Sequence, residues 1–212
     1  VSSITLKNLI IGYRSKHLLW AIASPVHASL QAGELTCLIG ANGVGKSTLL
    51  RTLAGFQPAL DGEILIQDKS LSDFSAQELA REISIVLTSK TDHAQLSAEE
   101  IVGIGRSPYT GFWGTLSAAD KQIVASALQE TGIQHLAQRN ISELSDGERQ
   151  KVMIAKALAQ QTRIIILDEP TAFLDFPSKV EILTLLRRLA REEGKAVLLS
   201  IHDLELALQM AD

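Results

Sequence analysis

One stretch, GANGVGKST at positions 40–48, constrains the fold of this 212-residue chain more than any other part of its sequence. It fits the pattern G-x-x-x-x-G-K-[ST], in which glycines let the backbone turn tightly and surround a phosphate with N–H groups. A short apolar strand at 35–39 precedes it, and a helix over 47–56 with leucines on one face follows it. This order directs the positive end of a helix at the same anion. The stretch therefore predicts a site for a nucleoside triphosphate.

The predicted site takes its contacts from the loop itself. Lys46 is expected to reach the β- and γ-phosphates, and the Ser47 hydroxyl to ligate Mg²⁺. An ordinary glycine-rich turn is the alternative, which the flanking strand and helix disfavour. The remaining residues predicted to touch the nucleotide are Gly40, Ala41, Asn42, Gly43, Val44, Gly45 and Thr48.

Composition and charge narrow the class of protein. A formal charge of −4 gives no basic field for nucleic acid, and 46% hydrophobic residues are typical of a globular domain. No apolar run approaches the roughly 20 residues that span a bilayer. Cys37 is the one cysteine of the sequence, so an intrachain disulfide is impossible, and its apolar strand predicts a small core residue. These features fit a cytosolic protein or a soluble subunit of a membrane complex.

The order of the elements predicts a parallel α/β core with a helical insertion. Residues 1–70 are β-rich, whereas residues 73–139 are mostly helical apart from a short strand at 83–87. Three helix starts in that region carry a serine followed three residues later by an acid, the pattern of a capping box. These pairs are Ser75 with Glu78, Ser97 with Glu100, and Ser117 with Asp120. The other predicted elements are strands at 4–9, 62–66, 163–167 and 196–201, and helices at 148–160 and 178–193.

Two further segments carry chemistry. The strand at 163–167 ends in Asp168, which can hold Mg²⁺ through water, and Glu169, which can accept a proton from an attacking water. The segment LSDGERQ begins a helix, where Ser145 and Gly147 suit a second phosphate contact. The same segment also fits a simple capping box between Ser145 and Glu148.

Together these motifs resemble the nucleotide-binding subunit of ATP-binding cassette (ABC) transporters, over nearly the whole chain. GANGVGKST is similar to the family's Walker A, and IIILDEPTAFLD to its Walker B, its catalytic glutamate (Glu169) and its D-loop with Asp175. LSDGERQ is similar to the signature motif, with Asp146 where glycine is common. LLSIHD places His202 as the switch histidine, and Tyr13 stands where the family's adenine-stacking aromatic does.

The resemblance implies an α/β P-loop NTPase cassette with a mixed β core, an N-terminal antiparallel portion and a helical subdomain. The core would comprise 1–72 and 161–212, and the mainly helical subdomain, with the signature motif, 73–160. The whole of 1–212 would be a single ABC ATPase domain. Family members usually continue beyond the segment that follows the switch histidine, so a truncation at the C terminus is expected.

The resemblance also implies a mechanism and partners. Two copies would face each other head to tail, with each MgATP between Lys46, Ser47 and Asp168 of one copy and the signature of the other. Glu169 would polarise the attacking water, and His202 would contact the γ-phosphate. The signature residues expected to act on the other copy's ATP are Ser145, Asp146, Gly147 and Glu148.

One departure from the family concerns a glutamine that usually ends the strand at 83–87. Here the next residues are Thr88, Ser89 and Lys90, and the first glutamine after the strand is Gln95. Either Thr88 or Ser89 is therefore expected to occupy that position and to ligate Mg²⁺ directly or through water. Asp146 is a second departure, because an acid near a triphosphate should repel it unless it points away.

The segment EEIVGIGRSPYTGFWG carries a finer resemblance, to the GRxPHxG loop of importers of iron–siderophore complexes, haem and vitamin B12. Tyr109 stands where histidine is more usual, and exposed Tyr109, Phe112 and Trp113 would form a contact surface. The resemblance implies the ATPase of such an importer, on the cytoplasmic face of a prokaryotic membrane, with permease subunits contacted near residues 88–114. The alternatives are a soluble ABC-type ATPase that acts on nucleic acid or ribosomes, and a nucleotide switch that is not coupled to transport.

Overall fold

The computed structural model describes residues 2–15, 18–23, 25–87, 95–111 and 113–211. Its strands are β1 (Ser2–Ile10), β2 (Gly12–Ser15), β3 (Leu18–Ala21), β4 (Val26–Gln31), β5 (Leu35–Ile39), β6 (Asp61–Ile66), β7 (Lys69–Ser70), β8 (Ile83–Val86), β9 (Ile164–Leu167) and β10 (Ala196–Ile201). Its α-helices are α1 (Lys46–Leu53), α2 (Ala76–Glu82), α3 (Ala98–Ile104), α4 (Ala118–Glu130), α5 (Asp146–Ala159), α6 (Phe176–Glu193) and α7 (Leu204–Met210). The fold is the mixed α/β cassette that the sequence predicts.

Two four-stranded sheets form the β core. The parallel sheet has the order β5-β10-β9-β8, and the antiparallel sheet has the order β4-β1-β6-β7. Every residue of β9 and β10 is buried, which explains their unbroken apolar sequences. β2 and β3 form a separate antiparallel hairpin. The strand predicted at 83–87 joins the core sheet beside β9, although it comes from the mostly helical stretch of sequence.

Three neighbouring parallel strands determine where the functional residues lie. β10 pairs with β5 and with β9, so that Ile201 lies beside Ile39 and Leu199 beside Leu167. The carboxyl ends of these strands therefore meet at one edge of the sheet, where ligands bind in open α/β folds. The segments that leave this edge are 40–48, 168–175 and 202–203.

The helices begin and end for local reasons. α1 stops at Leu53, three residues before the predicted end, because Gly55 takes a left-handed conformation with φ of 75°. α5 begins at Asp146, earlier than predicted, with Ser145 as its N-cap. All three capping boxes predicted for the helical region are present. Of the helices in the described ranges, none combines the length and apolar character that crossing a bilayer requires.

Cys37 departs slightly from its predicted place. It is half-buried and packs against the main hydrophobic core rather than lying within it. Burial nevertheless raises the pKa of the Cys37 thiol above its ordinary value. The thiol is accordingly a protonated, weakly nucleophilic group at neutral pH.

Candidate functional site

The glycine-rich loop joins β5 to α1 and turns sharply just before the helix. Gly45 has φ of 106°, and a Cβ there would lie 2.4 Å from the Cγ2 atom of Ile22. Only glycine combines that conformation with that close approach. The loop is thus fixed against the segment that follows β3, with the N-terminus of α1 behind it.

Lys46 is buried, although its ammonium lies at the mouth of the loop. It is 7% exposed, and Nζ donates hydrogen bonds to the carbonyl oxygens of Gly40 at 2.8 Å and Ala41 at 3.1 Å. Nζ also lies 3.5 Å from Nδ1 of His202. The positive charge is therefore held beside the glycine-rich loop at the N-terminus of α1, which suits a polyanion.

Asp168 and Glu169 follow β9, and a residue of the neighbouring strand orients both. The Ser200 hydroxyl donates to Oδ1 of Asp168 at 2.8 Å and accepts a hydrogen bond from the Glu169 backbone N–H at 2.8 Å. Asp168 is 6% exposed and Ser200 is fully buried. Ser200 was not among the residues predicted from the sequence; its only signal was a hydroxyl within the otherwise apolar β10.

Glu169 and His202 contact each other directly. His202 Nε2 is hydrogen-bonded to Oε1 of Glu169, and both side chains remain partly exposed. Glu169 adopts a left-handed backbone with φ of 50°, an unusual conformation for a residue with a side chain. Lys46, His202 and Glu169 thus form a chain of contacts across the end of the sheet, and we call these three residues with Asp168 the phosphate edge.

Ser47 and Asp168 suit a magnesium ion that arrives with a triphosphate. Mg²⁺ prefers oxygen ligands and is usually held by one or two protein groups together with substrate phosphates and water. Within the described ranges, no cluster of three or more His, Cys, Asp or Glu side chains is placed to hold a metal without a ligand. Thr88 and Ser89 lie outside the described residues, so their role toward Mg²⁺ stays a prediction.

Tyr13 lies in β2 and leans on the first turn of α1. Its hydroxyl is 3.2 Å from Oγ1 of Thr48, and 57% of the residue remains exposed. The ring therefore borders the glycine-rich loop with much of its surface open to solvent. This position fits the predicted contact with a nucleobase, and that role of Tyr13 stays a prediction.

The signature segment lies at the start of α5. Ser145 and Glu148 form the capping box that the plainer interpretation predicted, and hydrogen bonds from Ser145 lower the pKa of Glu148. The side chain of Asp146 is 63% exposed and lies 3.5 Å from Arg149, so its charge is partly balanced. In the part of the chain that the structure describes, no hydrogen bond or ion pair joins these residues to Lys46, Glu169 or His202.

Asp175 occupies the N-cap of α6. It accepts a hydrogen bond from the Ser178 backbone at 3.1 Å, and bonds from the side chain and backbone of Ser178 lower the pKa of its carboxyl. A Cβ on Gly147 would lie 3.2 Å from Oγ of the same serine. The start of α6 therefore packs beside the start of α5, and the D-loop and signature segments are neighbours within one chain.

The loop after α3 contains a buried arginine that the sequence analysis treated only as part of a motif. Arg106 is 5% exposed; its Nε donates to Oδ1 of Asp120 at 2.9 Å, and its Nη1 donates to the Ala159 carbonyl at 2.8 Å. Nη1 also lies 3.0 Å from Oε1 of Gln161. Hydrogen bonds from Ser117 and then from Arg106 lower the pKa of Asp120 to about 2.

Tyr109 packs against two guanidinium groups. Its ring centroid lies 4.1 Å from the guanidinium carbon of Arg106 and 5.2 Å from that of Arg81. Its hydroxyl donates to the Gln160 carbonyl at 3.0 Å, and Arg81 donates to the Pro108 carbonyl. We call Arg81, Arg106, Tyr109 and Asp120 the arginine cluster.

The predicted aromatic contact surface is thus only partly exposed. Tyr109 is 37% exposed and its ring contacts two guanidinium groups, whereas Trp113 is 87% exposed. Phe112 lies outside the described residues. In the described part of this surface, Trp113 is the large aromatic that is most open to a partner.

The sequence is similar to ATP-binding proteins of ABC transporters. The model of the ABC transporter family matches residues 23–172. The iron(3+)-hydroxamate import ATP-binding protein of Bacillus subtilis is 37% identical over 211 residues, which cover 100% of this chain and 77% of that protein. The ferric enterobactin transport ATP-binding protein of Escherichia coli is 35% identical over 205 residues, covering 97% of this chain and 74% of that protein.

Solved structures show the same fold. A dimeric bacterial ABC transporter cassette superposes with a TM-score of 0.83 at 28% identity, over 98% of this chain and 91% of that one. A dimeric post-hydrolysis state of an ATP-binding cassette, bound to ADP and Pi, has a TM-score of 0.81 at 28% identity. The latter covers 96% of this chain and 90% of that chain.

Proposed function

We propose, since this chain belongs to the ABC transporter family, that it is the ATP-hydrolysing subunit of an importer for an iron chelate, haem or cobalamin. The observation that carries the proposal is the phosphate edge, where Lys46, Asp168, Glu169 and His202 converge beside the glycine-rich loop. The iron-chelate importers among its relatives support the transported class.

Binding of the triphosphate would begin with an exchange at Lys46. Its ammonium donates to the carbonyls of Gly40 and Ala41, and phosphate oxygens are stronger acceptors because they carry charge. The backbone N–H groups of residues 40–48 and the N-terminus of α1 would bind the same anion. Tyr13 would stack on the base, and its hydroxyl contact with Thr48 holds the ring at the correct side of the loop.

Ser47 and Asp168 would hold Mg²⁺ between the loop and β9. When bound, the ion neutralises charge that develops on the transferring phosphoryl group. Asp168 is oriented for this role by Ser200, which uses Oδ1 as its acceptor. The buried position of Asp168 limits competition from bulk water for the carboxylate.

Glu169 would act as the general base on the attacking water. Its contact with His202 occupies the same carboxylate, so this bond must open, or share its acceptor, when a water molecule is activated. His202 would then turn toward the γ-phosphate, a short movement because its Nδ1 already lies 3.5 Å from Lys46 Nζ. Binding of the γ-phosphate by His202 would thereby free the Glu169 carboxylate to act as the general base.

A second copy of the chain would complete each site. The signature residues do not reach the phosphate edge of their own copy, whereas Ser145 and Gly147 of another copy would meet the triphosphate in a head-to-tail pair. The dimeric cassettes among the solved structures support this arrangement. The exposed Phe173 and the N-cap Asp175 would then face the other copy.

The permease subunits would contact residues 88–114. In the described part of that segment, Trp113 supplies the exposed aromatic surface, and the arginine cluster anchors the loop from behind. Such contacts would hold the chain at the cytoplasmic face of a prokaryotic membrane. Selection of the transported molecule would then belong to other subunits.

The proposal is tested by measuring MgATP hydrolysis as a function of protein concentration. We expect the specific activity to rise with concentration, because two copies build each site. Glu169→Gln should lower hydrolysis by about 100-fold or more while it keeps MgATP binding. Glu192→Gln, an exposed change on α6, is the matched control and should leave hydrolysis unchanged.

Two results would contradict the proposal. A specific activity independent of concentration would exclude a site shared between copies. A chain that binds MgATP but hydrolyses none at any concentration, and remains silent with its copurified membrane subunit, would exclude an ATPase.

A further inference from the structure

We propose that Trp20 is a second aromatic contact for the nucleobase and that it acts together with Tyr13. This inference rests on the proposed function, since it concerns the same nucleotide. The observation that carries it is the pairing of β2 with β3, in which Tyr13 lies directly opposite Trp20. Side chains of directly opposite residues in an antiparallel pair project from the same face.

The exposure of both rings indicates that this face is open for a ligand. Tyr13 is 57% exposed and Trp20 is 66% exposed, although each is a large aromatic side chain. Two exposed aromatics side by side form an apolar platform, which a soluble surface seldom leaves uncovered. A flat, aromatic base matches such a platform because each base presents a π-face to the rings.

The hairpin is held against the first turn of α1 and against the segment that follows this helix, so the platform has a fixed place beside the glycine-rich loop. The Tyr13 hydroxyl lies 3.2 Å from Thr48 Oγ1, and Gln57 Nε2 donates to the Gly12 carbonyl at 3.1 Å. A Cβ on Gly12 would lie 2.0 Å from the Trp20 carbonyl oxygen, so the two strands approach as closely as glycine allows. The backbone of Trp20 is thereby tied to the strand that carries Tyr13.

The occupant follows from this placement. In the proposed function the base of a triphosphate bound by residues 40–48 would stack on Tyr13, whose hydroxyl touches Thr48 at the end of the loop. A base that stacks on Tyr13 therefore reaches the face that Trp20 shares. Stacking involves no hydrogen-bond readout, so Trp20 should strengthen binding of any nucleoside triphosphate rather than select one base.

Tryptophan fluorescence gives a direct test, because Trp20 and Trp113 are the two tryptophans of the sequence. In Trp113→Phe the single indole reports on Trp20, and MgATP should change its emission. Magnesium tripolyphosphate, which fills the phosphate loop but has no base, should leave that emission unchanged. In Trp20→Phe, where Trp113 is the reporter, MgATP should have little effect.

Calorimetry on the same proteins gives the affinity. Trp20→Ala should weaken MgATP binding about fivefold or more, with no change in the affinity for tripolyphosphate. Trp20→Tyr, which keeps an aromatic face, should restore most of the loss. MgGTP should show the same loss as MgATP in Trp20→Ala.

The proposal is overturned if calorimetry shows MgATP bound while the emission of Trp20 stays constant, or if Trp20→Ala binds MgATP as tightly as the native chain. An emission that changes with protein concentration but not with nucleotide would also overturn it, because a second copy would then cover the platform. Failure of the proposed function has a different signature: the native chain would bind neither MgATP nor tripolyphosphate.

Discussion

The phosphate edge and the arginine cluster both gather charged side chains, but the two regions hold them differently. At the phosphate edge, His202 contacts both Lys46 and Glu169, and the side chains of His202 and Glu169 are partly exposed. In the arginine cluster, Arg106 is 5% exposed and has carboxylate, carbonyl and amide acceptors within 3.0 Å. The first region can exchange its contacts for those of a ligand, whereas exchange in the second would leave buried polar groups unsatisfied.

A charged side chain within a sequence motif can therefore serve packing rather than chemistry. Arg106 lies in the loop with the finer resemblance, yet its contacts join that loop to α4 and to the end of α5. The two regions should therefore respond to mutation in different observables: ligand affinity for one, and the free energy of unfolding for the other.

The largest effect that separates the regions is expected for Arg106→Ala. Its loss leaves the Ala159 carbonyl and the Gln161 side chain without their donor and should lower the free energy of unfolding by about 2–3 kcal/mol. Urea unfolding measures this change, with Arg51→Ala on the exposed face of α1 as the control. If Arg106→Ala is as stable as the native chain, the arginine cluster does not stabilise the fold.

Lys46→Ala should lower the affinity for MgATP more than it lowers the free energy of unfolding, the reverse of Arg106→Ala. We expect about a 10- to 50-fold loss of MgATP affinity, because a charge-assisted bond to phosphate disappears, with a smaller change in stability. Calorimetric titration measures the affinity, and Lys121→Ala on the exposed surface of α4 is the matched control. Unchanged affinity in Lys46→Ala would remove this residue from the proposed site.

Acid should weaken the arginine cluster over a defined range of pH. The folded pKa of Asp120 is about 2, below its ordinary value, so its contribution to stability is present above about pH 4 and is lost as the pH falls toward 2. Asp120→Asn should therefore lose less stability over this range than the native chain. Urea midpoints between pH 5 and pH 2 measure the slope, with Glu205→Gln as the control; equal slopes in all three proteins would contradict the expectation.

The smallest effects come from one chemical change, tyrosine to phenylalanine, made in the arginine cluster and beside the glycine-rich loop. Tyr109→Phe removes a hydrogen bond to the Gln160 carbonyl and should lower the free energy of unfolding by about 1 kcal/mol. Tyr13→Phe removes the contact with Thr48 from a more exposed ring and should change stability less, while it keeps the stacking face for MgATP. Unfolding midpoints compare the two, and a larger loss in Tyr13→Phe would reverse the comparison.

The phosphate edge was predictable because its parts follow neighbouring parallel strands. Asp168 and His202 come directly after apolar strands, Glu169 follows Asp168, and Lys46 ends the glycine-rich loop that follows β5. Neighbouring parallel strands bring their carboxyl ends together. Ser200 was not predictable, since a single hydroxyl inside β10 gives no sign of the strand that it faces. Its two partners lie more than thirty positions away in the chain.

The arginine cluster was less accessible to sequence reasoning. Arginine in a Gly- and Pro-rich loop is expected at the surface, and the capping box with Ser117 already explained Asp120 locally. The decisive acceptors of Arg106 and Tyr109 are the backbone carbonyls of Ala159 and Gln160. A carbonyl has no sequence signature, so contacts of this kind emerge only from the packed fold.

α5 has a distinct partner at each end, so the helix can transmit a movement from one partner to the other. Its first turn carries the signature, and the carbonyl of its last residue, thirteen positions farther along, accepts a hydrogen bond from Arg106. At 1.5 Å per residue the two ends are about 20 Å apart, and one uninterrupted helix joins them. A displacement of the loop at 105–109 would therefore move Ser145 and Gly147 by a similar amount, because the helix between them moves as one body.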